Sequence, residues 1–275
     1  MMEKRTVWGM IALCCVLVAG GCEQVIDIDL HTVGPQIVIE GKVSDQPGPY
    51  TVALTRTGTY FSPTLTFPPV SGARVVIQDN MGGRDTLRES ARGVYSSQLH
   101  RGIPGVTYAL TVEAEGAVYT GTSTMPQRVK IDSLYVAART GGPGGKGYDL
   151  YIAFADPPES GNYYRINVRP TNPAVPSDSV DGRRYRVYSD KLSNGTETVY
   201  RLRLRRQIKA GDTLTVDLMS IDKPTYEYYR TLDNILTSDR SPTSLSPANP
   251  NTNLSGGSLG YFTAFAIDSR KIVLP

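Results

Sequence analysis

Apolar and polar residues alternate with a period of two along most of this chain, the period of a β-strand with one face buried. The alternation predicts strands over 36–43, 50–57, 73–79, 108–113, 131–137, 148–155, 163–168, 184–188, 199–205 and 213–219. Turn-forming clusters separate them: Gln46-Pro47-Gly48-Pro49, Asn80-Met81-Gly82-Gly83, Ile103-Pro104-Gly105 and Asn194-Gly195. The last pair accepts the positive φ angles of a tight hairpin turn. Short strands at this spacing predict a mostly β fold of sandwich type rather than a parallel sheet alternating with helices. One segment keeps a different period. Tyr226, Tyr229, Leu232, Ile235 and Leu236 recur at helical spacing behind Asp222, a good N-cap, and Pro224, which suits a first turn. They predict one short helix over about 224–236. A stretch rich in Ser, Pro, Asn and Gly, 237–257, reads as a long loop, and 261–266 resumes as a strand.

The first residues read as an address. An apolar run, 7–19, follows Lys4 and Arg5, and it is shorter than the roughly 20 residues a membrane-spanning helix needs. Ala19-Gly20-Gly21-Cys22 then resembles a lipobox. Residues 1–21 are expected to be a lipoprotein signal peptide, Cys22 to carry acyl chains on its thiol and new amine, and 22–34 to be a lipid-anchored linker. The expected location is the outer membrane, with both of its faces open. Cys14 and Cys15 would leave with the signal, so no disulfide is expected. The length favours two domains behind the linker. These are an immunoglobulin-like or transthyretin-like sandwich over 35–126 and a second β domain over 127–275 carrying the helix, with the divide near Met125-Pro126-Gln127.

Composition removes several chemistries. A formal net charge of +3 is too small to argue for nucleic acid, and two histidines leave little for a multi-histidine metal site. No cofactor, metal or catalytic residue is expected. Gly256-Gly257-Ser258-Leu259-Gly260 matches the spacing of a nucleophile elbow, but no His follows the Ser, and a loop precedes it where a strand is required. Gly142-Pro143-Gly144-Gly145-Lys146-Gly147 matches a dinucleotide-binding pattern, but a strand-like run follows in place of a helix. His31 and His100 read as surface or turn residues.

Two leads remain. Between Arg183 and Lys209 lie nine basic residues and only two acids, Asp190 and Glu197. In Arg201-Leu202-Arg203-Leu204-Arg205 the alternation puts three guanidinium groups on one sheet face. A turn at Asn194-Gly195 would bring Arg184 and Arg186 back beside them. That face reads either as a site for carboxylates, phosphates or sulfates, or as a solvated strand kept from aggregating by its charge. Lipopolysaccharide phosphates are a further, nonspecific partner. The second lead is the tyrosines, which offer flat amphipathic surface to sugars or peptides. Tyr228 falls off the Tyr226/Tyr229/Leu232 stripe and is expected to be exposed.

The order of segments resembles the domain-of-unknown-function 4249 family of bacterial envelope lipoproteins. It is carried by 22–29, 37–43, 46–50, 70–75, Gly93-Val94-Tyr95, 104–108, Ile131-Asp132-Ser133, 161–164 and 256–262. Members of that family are often encoded beside TonB-dependent outer-membrane receptors. The resemblance therefore implies a role beside a transporter but no activity. Together with the lipid anchor, the β-rich build and the lack of catalytic signatures, it leads us to expect a non-enzymatic accessory that binds substrate or caps the barrel. Two alternatives stand behind it: a structural or adhesive envelope protein, and a hydrolase of glycan or peptide built on two carboxylates brought together in space.

Overall fold

The alternation is realised as fourteen strands and one long helix in a computed structural model, which describes residues 34–58, 67–98, 101–140, 146–172, 185–205, 208–238 and 249–275. The signal-like run, Cys22 and the acidic linker lie outside the described residues, as do His31, His100 and Arg184. The strands are β1 (Ile37–Ser44), β2 (Thr51–Arg56), β3 (Arg74–Asp79), β4 (Arg84–Ala91), β5 (Val94–Ser96), β6 (Thr107–Ala114) and β7 (Ala117–Thr124). After them come β8 (Ser133–Arg139), β9 (Gly147–Ala155), β10 (Tyr163–Pro170), β11 (Val187–Ser189), β12 (Glu197–Arg203) and β13 (Thr213–Ile221). Helix α1 (Lys223–Ser238) and β14 (Leu259–Val273) complete the order.

Eleven strands form one sheet in the order β11-β10-β13-β14-β1-β2-β5-β4-β3-β6-β7, and three form a second, β12-β9-β8. The long strand β14 has two partners end to end. Its first half runs parallel to β1, Leu259 opposite Val38 through Phe265 opposite Ser44. Its second half runs antiparallel to β13, Ala266 opposite Ser220 through Val273 opposite Thr213.

Two large hydrophobic clusters divide most of the chain near residues 125–129, but the first also draws on residues from the end of the sequence. The first joins Ile39, Val43 and Leu54 to Ile77, Leu110 and Val112, and takes in Phe262, Ala264 and Ala266 of β14. The second is a sandwich: Leu150, Ile152, Phe154 and Leu202 of the three-stranded sheet face Ile166, Val168, Val216 and Leu218 of the larger one. By contact, residues 35–275 form one unit. The connection between β7 and β8 is stitched down along its length. The Arg128 guanidinium reaches the buried Asp45, the Val129 N–H donates to Ser220 Oγ, and the Ile131 N–H donates to Asp268 Oδ2. Asp45 Oδ1 also accepts the Ile267 N–H of β14, so one carboxylate holds three segments.

Helix α1 begins as the sequence predicts. Asp222 Oδ1 accepts the Thr225 N–H at 3.0 Å, filling an otherwise orphan donor of the first turn. The same carboxylate accepts the Ser123 hydroxyl of β7 at 2.6 Å. The helix covers the face of the large sheet opposite the first core, because Tyr261 points toward it while its neighbour Phe262 points inward. Among the described residues, no helix is long and apolar enough to cross a membrane.

Candidate functional site

The arginine face is formed on the outer side of the three-stranded sheet. Leu202 and Leu204 of β12 and its exit are buried, while Arg201, Arg203 and Arg205 are exposed, so the alternation delivers the split that the sequence predicts. Cross-strand register sets what lies beside them: Arg201 is opposite Tyr151, Arg203 opposite Asp149, and Tyr151 opposite Tyr135. Tyr135 and Tyr151 stack with ring centres 4.8 Å apart, and the Arg201 guanidinium lies 6.0 Å from the Tyr151 ring. Tyr135 is 46% exposed and Val199, on the same face, 51%. The face thus combines a tyrosine stack, an apolar side chain and arginines.

Arg201 is not free. Its Nε and Nη2 both donate to Asp149 Oδ2, at 3.1 and 2.5 Å, and Arg139 closes on the other carboxylate oxygen at 2.5 Å. Asp149 is buried. Burial alone would raise its pKa, but the hydrogen bond from Arg201 and the charges of both guanidinium groups outweigh burial and hold it below the usual carboxylate value. Arg203 and Arg205 form no ion pair with a described residue, and they are the cations this face presents to solvent.

Two expectations about this site are corrected. The turn at Asn194-Gly195 does not fold the strand before it back against β12. Strand β11 pairs with β10 and β12 with β9, in different sheets. A short 3-10 turn, Asp190–Leu192, comes first, and the chain then crosses between sheets, pinned where Asp190 accepts the Gly161 and Asn162 N–H groups and Asp156 the Gly195 N–H. Arg186 is accordingly buried at 4% exposure on the other side of this crossing, away from Arg201 and Arg203.

Tyr228 is the second correction. It is 8% exposed, packed 4.6 Å from the Tyr261 ring centre and 5.3 Å from that of Tyr229. The buried stripe of α1 is Thr225, Tyr228, Tyr229 and Leu232, because Thr225 points into the sheet and hydrogen-bonds Thr263. Reading Thr225 as polar rotates the stripe by one residue. Arg165 lies beneath, 4.1 Å from the Tyr229 ring and 5.6 Å from that of Tyr185, and Lys42 sits 5.8 Å from Tyr261. Burial lowers the Lys42 pKa and raises those of Tyr228, Tyr229 and Tyr261. These contacts hold the helix to the sheet.

The six buried aspartates of the described residues are each held by protein groups. Asp45 meets Arg128, Asp85 the Gln98 N–H, Asp149 its two arginines and Asp217 the Arg169, Asn167 and Ser269 side chains. Asp156 accepts the Tyr164 hydroxyl and Asp190 two backbone N–H groups. Among the described residues no three His, Cys, Asp or Glu side chains are placed to hold a metal ion. Ser258 is 2% exposed, and Gly260 after it lies within β14, so its surroundings are a strand entry. Lys146 leads directly into strand β9, which begins at Gly147, while 141–145 lie outside the described residues.

Built this way, the chain is a mostly β protein of sandwich type with one helix laid across an outer sheet face. Residues 23–271 match the family described as Domain of unknown function (DUF4249), and the chain belongs to that family. Among curated proteins, none matches it. Among solved structures it is similar to a segment of two fibronectin type-III domains from chicken tenascin, at 14% identity and a TM-score of 0.22, over 68% of this chain and 91% of that one. A mutant Salmonella alpha-2-macroglobulin is similar at 12% identity and a TM-score of 0.22, over 88% of this chain and 14% of that one. Neither likeness bears on the fold or the function at that score.

Proposed function

We propose that this protein is a lipid-anchored, non-enzymatic accessory of the outer membrane that works beside a TonB-dependent transporter, binding substrate or capping the barrel. The observation that carries the reading is Ala19-Gly20-Gly21-Cys22 behind the short apolar run, which specifies export and acylation of Cys22. Several acyl chains give lasting attachment where one would be marginal. The exposed Tyr135, Val199 and Arg203 face supplies a surface suited to contact with a partner.

Purifying the tagged protein from its own envelope in detergent, followed by mass spectrometry, tests the reading. The expected result is stoichiometric recovery of a TonB-dependent receptor. A clean preparation without one would overturn it in favour of a structural or adhesive role. The anchor has its own test. Cys22→Ser is expected to abolish labelling by a palmitate analogue and to leave the signal segment uncleaved, which intact mass measures directly. A labelled Cys22→Ser chain would remove the basis of the proposal.

A further inference from the structure

We infer that the free edge of β12 is a docking strand for an acidic, extended segment of a partner protein, which would add a strand to the three-stranded sheet. Strand β12 is an end strand in the order β12-β9-β8, and no strand of the described residues pairs with its other side. Hydrogen bonds at its two ends fix which backbone groups face that side. The Leu204 N–H donates to the Tyr148 carbonyl, and the Asp156 N–H donates to the Thr196 carbonyl. In an antiparallel ladder the bonded pairs recur every second residue. Residues 196, 198, 200, 202 and 204 therefore face β9, and Glu197, Val199, Arg201 and Arg203 turn their N–H and C=O groups outward.

The side chains of those outward residues select the partner. Val199 is 51% exposed, Arg203 is exposed with no ion pair among the described residues, and Arg205 follows just beyond the strand. Arg201 gives Nε and Nη2 to Asp149, leaving Nη1 unused by that pair. Against these cations the exposed row carries one acid, Glu197. An added strand places its own alternate side chains on the same face, beside Arg201 and Arg203, where opposite charges across a strand pair attract and like charges repel. Main-chain hydrogen bonds would supply affinity and the alternate acidic side chains specificity, as in other strand additions. The inference goes beyond the proposed function and depends on neither the anchor nor a receptor.

The test uses the full mature chain purified in detergent and a synthetic seven-residue peptide of alternating Glu and Val. Binding is read by fluorescence anisotropy, and backbone protection by hydrogen–deuterium exchange over 196–205. The acidic peptide is expected to bind and slow exchange in that segment. A peptide of the same charge, N-methylated at every residue, is expected to bind at least about tenfold more weakly, since it has no N–H to donate to the edge of β12. Arg203→Glu with Arg205→Glu should weaken the acidic peptide by about tenfold and favour a Lys-Val counterpart. Val199→Pro removes an outward N–H without touching the β9 ladder and should also reduce binding. Equal binding of the methylated peptide would mean unspecific charge attraction and would overturn the inference, as would absence of binding. Dimerisation through β12 that excludes the peptide would overturn it too. If Val199→Pro does not fold, the arginine variant and the methylated peptide decide.

Discussion

Gly260→Ala is expected to destabilise the protein by about 4 kcal/mol, as the sum of backbone strain and a clash that packing cannot relieve. Gly260 has a φ of +96°, where a side chain is strained. It also faces its parallel partner Ile39 so closely that a Cβ would lie 2.8 Å from the Ile39 carbonyl carbon and 2.9 Å from its nitrogen, with the oxygen closer still. Those are backbone atoms of a central strand, so β1 and β14 would have to part. Gly82 is the control. Its φ is +97°, but nothing lies within 4 Å of the added carbon. Gly82→Ala should therefore cost only about 1 kcal/mol. Guanidinium unfolding of both variants measures the difference. Equal losses would show that the φ angle, and not the approach of the two strands, sets the requirement for glycine.

Arg139→Met is expected to cost about 3 kcal/mol, because it leaves the buried Asp149 with one guanidinium in place of two. The Arg139 side chain is 9% exposed and the Asp149 side chain 6%, whereas the second partner Arg201 is 52% exposed. The buried cation is therefore the one that matters. Replacing both members, Arg139→Met with Asp149→Leu, should return most of the loss, since an apolar pair of similar volume does not have to be desolvated as ions. The pH dependence has a definite sign. The folded carboxyl is held below its usual 3.8, so its stabilisation is full above that value and is lost as pH falls through the lowered one. Urea midpoints measured between about pH 2 and pH 6 should therefore fall steeply at the acid end in the parent protein and less so in the double variant. A double variant as unstable as Arg139→Met would show that the site needs the ion pair itself.

Much of the fold was legible from alternation. The strands that escaped it, β4, β5 and β7, show why. Strand β4 is exposed after Leu87, β7 has no buried residue until Gly121 although Ala117, Val118 and Tyr119 are apolar, and β5 has three residues. Strand β14 was read only to Ala266 because the polar run Asp268, Ser269, Arg270 and Lys271 follows, although it pairs with Leu218, Asp217, Val216 and Thr215 of β13. The helix was legible from Asp222 and its apolar spacing, but its buried face turned on Thr225, whose hydroxyl finds a partner inside. The arginine face was legible as a row. Its neighbours Tyr135, Tyr151 and Asp149 were not, because cross-strand register belongs to the folded sheet. Tyr135 and Tyr151, each inside an alternating run, were the one signal that could have pointed there.

The two-partner strand β14 also sets a schedule. Its parallel match to β1 joins Val38 to Leu259, so one side of β1 stays open until nearly all the chain has been made. Contacts this distant in sequence slow folding, since the loop must close before pairing repays it. The antiparallel β1–β2 pairing and the β3–β4 and β6–β7 hairpins are local and can form early. A chain still on the ribosome would thus carry a partly built sheet with an apolar edge exposed, and the last strand to arrive closes both cores at once.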